Sequence, residues 1–490
     1  MKRLLIAGLL LTAGCAVGPD YQRPETVIPA QFKEAAGWKV AEPGQAESNA
    51  AWWSVYNDPV LDGIEREIAV SNQNLAAAEA AWRQAQAAVA LAQASFWPTL
   101  GITPSGERSG RGPGQRGQKA PSVTTAGGTV IPSGGSGGTA SNQFSLTGSA
   151  SWSPDIWGKI RRTVESNEAA AEASADDLAA LRLSTQALAA TDYFELRIAD
   201  AMQRLLEQAA TAYRRSLEIT RNQYKSGIAA KSDVAQAEAQ VETTQAQAIN
   251  TGVARAALEH ALAVLTGKPP ADFAVAPAAF AVAIPAIPVE VPSALLERRP
   301  DIAAAEQQMA QANAKIGVAL AAWYPNLALN GTYGVTSATL GALMNASNNI
   351  WAFGGSLAET VFDGGARSAD VAIARAAYDQ TVATYRQTVL TAFSQVEDQL
   401  AALRILENQA TVQARAVTAA NEAERLIQNQ YKAGTVAYTS VIVAQTAALT
   451  DAESNLSIQQ NRLTASVALI QALGGGWHGD EAARLAAKTQ

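Results

Sequence analysis

Cysteine is nearly absent from this chain: Cys15 is the only one in 490 residues. A lone thiol cannot close an internal disulfide. Histidine is almost as scarce. His260 and His478 stand without paired acids at metal-ligand spacing, so no metal centre is expected. The glycine-rich stretch 110–138 lacks the lysine-serine context of a phosphate cradle. No catalytic constellation is present, and the chain is not expected to be an enzyme. Basic residues do not dominate either. Lys and Arg number 37 against 44 Asp and Glu, a net charge of −7, which argues against nucleic acid as a partner. Long apolar runs are also missing after residue 15. The most apolar segment, 273–291, is broken by Pro277, Pro285 and Pro288. Any further membrane crossing must therefore be made by strands.

The N-terminus has the form of a secretory signal. Lys2 and Arg3 precede the short apolar run Leu4 to Leu11, which is too short to span a bilayer. Thr12-Ala13-Gly14 then leads to Cys15. Small residues before a single cysteine resemble a bacterial lipobox, although Thr12 stands where a large aliphatic residue is usual. On this reading residues 1–14 are removed. Cys15 becomes the mature first residue and carries a diacylglycerol and an N-acyl lipid. Each buried CH₂ contributes ~0.8 kcal/mol, so two or three chains anchor firmly. Ala16, in place of Asp, fits sorting to the outer membrane. No other cofactor is expected.

The chain contains one structural unit twice. Residues 74–100 align without a gap on 301–327, QYKSGIAAKSDV (223–234) on QYKAGTVAYTSV (430–441), and ALAVLTG (261–267) on ALIQALG (468–474). A repeat this long is a duplicated half, not a solenoid unit. Each copy reads helix, strand, loop, strand, long helix, helix. A helix is expected from Pro59 to Trp97, then strands within 99–152 around a Gly/Ser-rich loop at 104–140. The second copy places a helix from Pro300 to Trp323 and strands within 326–358. Phe144, Leu146, Gly148, Ala150 and Trp152 alternate with Gln143, Ser145, Thr147, Ser149 and Ser151, the pattern of a strand with one apolar and one polar face. Ten-residue two-faced strands with aromatic ends (Phe96, Trp97, Trp152, Trp157; Trp323, Tyr324, Trp351, Phe362) match outer-membrane barrel staves and their interfacial belts. Four strands are too few to close a barrel, so several chains must combine.

Residues 159–224 and 366–433 contain neither proline nor glycine. Val382, Val389, Val396, Leu403, Ala410 and Val417 recur every seven residues, as do Leu449, Leu456, Leu463 and Ile470. Such repeats predict left-handed coiled-coil packing. Leu206, Tyr213, Leu217 and Tyr224 continue a similar seam in the first copy. Each long helix should end at a turn on Gly227 or Gly434 and return as a hairpin. The expected organisation is a signal (1–14), a lipidated N-terminal segment (15–58), a first repeat (59–267), a Pro/Ala-rich connector (268–292), a second repeat (293–474) and a loosely ordered tail (475–490). Arg298 and Arg299 are expected at a solvated helix start, with Pro300 and Asp301 in its first turn.

The motifs GCAVGPDYQRP (14–24), WWSVYNDPVLD (52–62), VPSALLERRPDIAAAE (291–306), the two QYK-x-G tips and LGGGW (473–477) give the chain a resemblance to the TolC-like outer-membrane efflux factors. It looks most like the lipoprotein branch paired with resistance-nodulation-division pumps. The resemblance spans nearly the whole mature chain. It implies a mainly α fold with membrane β: a homotrimer whose twelve-stranded outer-membrane barrel continues into a periplasmic α-helical barrel. It implies outer-membrane lipid, a periplasmic adaptor and an inner-membrane pump as partners, and drugs or toxic small molecules as cargo. It also implies a periplasmic gate at the hairpin tips. Asp233 falls on a tip aspartate and Tyr431 on the tyrosine that bonds it. The arginine common two residues past the second tip glycine is Val436 here. The constricting aspartates are Ser440 and Val443. The gate is thus expected to close on apolar and hydroxyl groups, with Thr439, Ser440 and Val443 nearest the axis, and to show weaker cation selectivity. If Asp233 has no part in it, that residue caps or solvates the helix start near Ser232. The tips 224–234 and 431–441, with Tyr224, Gly227, Gly434 and Val436, are the expected adaptor-docking surface. Two rival functions share these features in part: a type I protein-secretion conduit, and a periplasmic coiled-coil scaffold lipoprotein.

Overall fold

The computed structural model describes residues 16–25, 28–29, 31–35, 51–110, 140–279, 283–285 and 298–475. The signal 1–14, Cys15, the loop interior, much of the connector and the tail beyond Gly475 lie outside the described residues. Seven helices are named here in chain order: α1 (Pro59–Ser71), α2 (Gln73–Ala94), α3 (Lys159–Lys225), α4 (Lys231–Leu265), α5 (Pro300–Ala321), α6 (Ala366–Lys432) and α7 (Tyr438–Ala472). The strands are β1 (Thr99–Ser109), β2 (Ser141–Trp152), β3 (Asn326–Ser337) and β4 (Asn349–Ala358). The duplication is literal in the helices: α2 and α5 have 22 residues each, α3 and α6 have 67, and α4 and α7 have 35.

Two compact units can be told apart. The first gathers the residues up to Arg23 with Gln84–Ala171 and Gln307–Val382. Its centre is one antiparallel sheet in the order β1-β2-β3-β4. Register places Ile102 opposite Gly148, Gly148 opposite Tyr333, and Tyr333 opposite Trp351. Side chains two apart share a face, so Leu100, Ile102, Phe144, Leu146, Tyr333, Val335, Trp351 and Phe353 form one apolar face. Thr99, Thr103, Ser105, Ser145, Thr147, Ser149 and Thr332 form the other. Hydroxyls pair across the polar face: Thr99 with Ser151 at 2.7 Å and Ser105 with Ser145 at 2.6 Å. The apolar face is uncovered in the single chain, with Ile102 78% and Trp351 77% exposed. Aromatics stand at its base: the rings of Trp157 and Tyr324 stack at 4.8 Å, and the Trp157 indole donates to the Pro325 carbonyl at 2.8 Å. Strand β1 continues to Ser109, five residues past the expected start of the loop. The Gly/Ser-rich composition places 104–109 in the loop, yet β1 runs through Pro104 and Gly106 and in the single chain is an edge strand of this sheet, where a missing N–H is tolerated.

The second unit comprises Pro24–Arg83, Glu172–Glu306 and Ala383–Gln490. Asp58 caps α1 by accepting from the Val60 and Leu61 amides, with Pro59 as its first residue. The expected continuous helix from Pro59 is broken at Asn72, and its second piece stops at Ala94. The Asn72 side chain caps the next helix through the Leu75 amide and donates to the Leu265 carbonyl at 2.7 Å. Its counterpart one repeat later is Arg299. That guanidinium is buried, reaches the Ala472 carbonyl at 3.1 Å and Gln395 at 2.9 Å, and pairs with Asp301. The solvated helix start expected at Arg299 is therefore corrected, because the arginine is spent on orphan carbonyls at the end of α7. Trp52, Trp53, Tyr56, Leu61, Ile64, Ile68, Tyr193 and Phe194 are all buried in this unit. Tyr56 and Phe194 rings pack at 4.8 Å, and Tyr193 donates to Asp58 at 2.6 Å.

Glu65 is fully buried on α1, and neither carboxylate oxygen has a hydrogen-bond partner among the described residues. Burial raises its pKa to about 9, because the apolar interior disfavours the charged form. Below the ordinary carboxylate pKa both folded and unfolded chains hold the proton. Between that value and about 9 only the folded chain keeps it, so stability falls as pH rises, by at most about 1.4 kcal/mol per pH unit. Glu65→Gln is therefore expected to melt higher than the parent at pH 8, with the gap closing towards pH 5. Thermal unfolding followed by circular dichroism in detergent checks this; an equal gap at both pH values would refute the neutral buried carboxyl.

Candidate gate and docking tips

Both long helices end in the same cap. Ile228 donates to the Gln223 carbonyl and Gly227 to Tyr224; Thr435 donates to Gln430 and Gly434 to Tyr431. This is the Schellman pattern. It needs a left-handed residue, and Gly227 and Gly434 sit at φ +77° and +75°. A Cβ at either glycine would meet nothing within 4 Å. Their constraint is thus conformational rather than spatial, and both face open space.

The two tips share a sequence but not an environment. Tyr431, at the second tip, is buried, whereas its counterpart Tyr224 is 45% exposed. Tyr438 is buried too, and its counterpart at the first tip is Lys231. A cluster of Tyr213, Leu217, Ala237, Val241, Tyr431, Tyr438 and Val441 joins the hairpin ends. The Tyr431 and Tyr438 rings pack at 5.3 Å. A polar seam runs through the same cluster. Tyr431 donates to the Thr220 hydroxyl at 3.0 Å, and Thr220 donates in turn to the Ser216 carbonyl. Gln445 donates to the Ser216 hydroxyl at 3.1 Å, and Tyr213 donates to the Gln445 carbonyl at 3.1 Å. Burial pushes Tyr438 up to about 12 and raises Tyr431 as well, so both phenols stay neutral; Tyr431 acts as a donor, whereas the Tyr438 hydroxyl has no partner among the described residues.

The expected Asp233–Tyr431 hydrogen bond is not formed within the chain. The Asp233 carboxylate accepts from the Ala230 amide at 3.3 Å, at the third residue of α4, where a carboxylate reaches back to the cap. The Tyr431 hydroxyl points to α3 instead. Asp233 remains close enough to disfavour ionisation of Tyr431 and Tyr438. Thr439 and Val443 are exposed and Ser440 is half-buried. Tyr438, Val441 and Gln445 take the inner face of α7, and helical spacing turns Thr439, Ser440 and Val443 away. Val436 is half-buried; Tyr224 and Ile228 are exposed. Cys15 lies outside the described residues. Thr220, Ser216 and Gln445 were not foreseen. Their only signal in the sequence is position, three or four residues from Tyr213, Leu217 and Val441 on the same helical stripes. His260 is exposed, and no cluster of metal-binding side chains occurs among the described residues.

The model of the "Outer membrane efflux protein" family matches residues 66–268 and 291–475, the two repeats. "Probable efflux pump outer membrane protein TtgC" of Pseudomonas putida is 28% identical over 471 residues, covering 96% of this chain and 94% of that protein. "Cation efflux system protein CusC" of Escherichia coli is 28% identical over 97% of this chain and 99% of its own length. The solved outer-membrane channel OprN superposes with a TM-score of 0.84 at 26% identity, over 94% of this chain and all of that one. The fold is accordingly the expected one, mainly helical and internally duplicated, with one four-stranded antiparallel sheet, and it is shared with solved outer-membrane channels. The chain belongs to the outer membrane efflux protein family and is an outer-membrane efflux channel.

Proposed function

We propose that this chain is the exit duct of a tripartite pump, anchored by lipid at Cys15 and closed at rest by its hairpin tips. The observation that carries the reading is the two-faced sheet, apolar and uncovered on one side and hydroxyl-lined on the other. Free edges on β1 and β4 must pair in a bilayer, and three copies supply twelve strands for a closed barrel. The uncovered face then meets lipid, and the hydroxyl face lines a passive route. No catalytic chemistry is required. Drugs and toxic small molecules arrive from an inner-membrane resistance-nodulation-division pump through a periplasmic adaptor. Deleting the gene should raise susceptibility to such compounds and leave protein secretion unchanged; the converse result would point to a type I conduit.

The first tip, with Tyr224, Gly227 and Ile228 exposed, and the second, with Gly434 and Val436, offer the adaptor a docking surface. Gly227→Asp or Gly434→Asp places a charge in open space at a strain of about 1–2 kcal/mol. Drug export should be lost while heat-stable trimers persist. Survival of export in both variants would remove the tips from docking.

Closure rests on the seam. Thr439, Ser440 and Val443 are turned away from this seam to meet neighbouring copies, while Tyr431–Thr220 holds α6 against α3 and Gln445–Ser216 holds α7 against it. Tyr431→Phe removes one buried hydrogen bond, worth about 0.5–1.5 kcal/mol, while Thr220 still donates to the Ser216 carbonyl, and should raise conductance in planar bilayers. Asp233→Ala removes only the carboxylate that reaches back to the exposed Ala230 amide and should raise it less. The opposite order would assign closure to Asp233 instead.

A further inference from the structure

Residues 16–20 are held far more tightly than a leader to a lipid anchor needs. The Val17 amide donates to the Trp157 carbonyl at 3.1 Å. Arg162, 4% exposed in the first turn of α3, reaches the Val17 carbonyl at 3.3 Å, the Gly18 carbonyl at 3.2 Å and Asp20 at 2.8 Å. Glu165 receives its remaining branch at 2.8 Å. From α5, Asn313 donates to the Pro19 carbonyl at 2.9 Å. The backbone is pressed in as well. Gly18 has φ +112°, and a Cβ there would stand 2.6 Å from the Gly317 Cα; a Cβ on Gly317 would lie 2.8 Å from Arg162 Cγ and 2.9 Å from the Val17 carbonyl. Ala16 itself lies against Gly158.

Most of these bonds go to main-chain carbonyls. The site therefore recognises the path of the segment rather than its side chains, and the glycine pair makes room for that path. It lies just beyond the end of β2, beside Trp157, whose indole is tied to Pro325, the residue immediately before β3. We propose that Arg162, Asn313 and Gly317 form a seat for the chain's own N-terminus, and that this seat fixes where the acylated Cys15 enters the bilayer. Its purpose rests on the lipid-anchor reading; the capture of residues 17–20 does not. The residue before Ala16 begins one Cα step of about 3.8 Å away, so a seated anchor has no slack. Released, a ten-residue leader would let the anchor wander by roughly 18 Å.

The test uses the full-length protein purified in detergent, with hydrogen–deuterium exchange over residues 16–25. Arg162→Ala and the milder Gly317→Ala should each speed exchange at Val17 by about tenfold or more, the equivalent of 1.4 kcal/mol. Asp20→Asn should change it little, because that side chain is 90% exposed. Cys15→Ser should keep the protection while losing incorporation of labelled palmitate. A flexible Gly/Ser insertion between Cys15 and Ala16 leaves the seat filled but gives the anchor slack. It should reduce heat-stable trimers and export as Arg162→Ala does. Unchanged exchange in both seat variants would overturn the capture. An insertion without effect on assembly or export would overturn its positioning of the anchor. Absence of palmitate from the parent protein would overturn the lipid reading and, with it, that purpose, while leaving the exchange result to decide the capture.

Discussion

The sheet sets the terms for the rest of the molecule. Leu100, Ile102, Tyr333, Trp351 and Phe353 lie uncovered on one face, β1 and β4 leave their outer ladders unpaired, and the other face is built of serine and threonine. Water opposes the first arrangement and a bilayer forbids the second. A closed barrel in lipid satisfies both, and one chain supplies only four staves. The same face cannot serve as the core of a soluble hairpin, because nothing among the described residues covers it.

The helices answer a different demand. Helices of 67 residues need sequences free of proline and glycine, and they need their ends satisfied. The tips are closed by glycine caps. At the opposite ends the duplicated halves use equivalent positions with different chemistry: the Asn72 amide bonds Leu265, and the Arg299 guanidinium bonds Ala472. Arginine offers more donors than asparagine, and Arg299 spends the extra ones on Gln395 and Asp301. Arg299 is thus a fastening between helices. The WWSVYNDP run acts in the same way, since Asp58 both caps α1 and receives the Tyr193 hydroxyl.

Duplication followed by divergence explains the tips. Both carry QYK-x-G and the same cap, yet Tyr431 and Tyr438 are buried in a polar seam where Tyr224 and Lys231 are not. Equivalent backbones have been given unequal faces, one buried between hairpins and the other exposed.

Much of this was legible from residue order alone. Period-two alternation located the strands, the absence of proline and glycine set the long helices to within a residue or two, and Gly227 and Gly434 marked the turns, because each signal is local and reports one element's own backbone. The break at Asn72, the burial of Arg299, the burial of the Glu65 carboxyl and the choice of Thr220 over Asp233 as the partner of Tyr431 were decided only in three dimensions. Each depends on which group another helix brings within 3 Å or so, and spacing along one chain segment carries no record of that. The sequence by itself determined a duplicated set of helices and two-faced strands. Tertiary packing decided which of its polar side chains became fasteners, because a buried donor must bond whatever acceptor the neighbouring element presents.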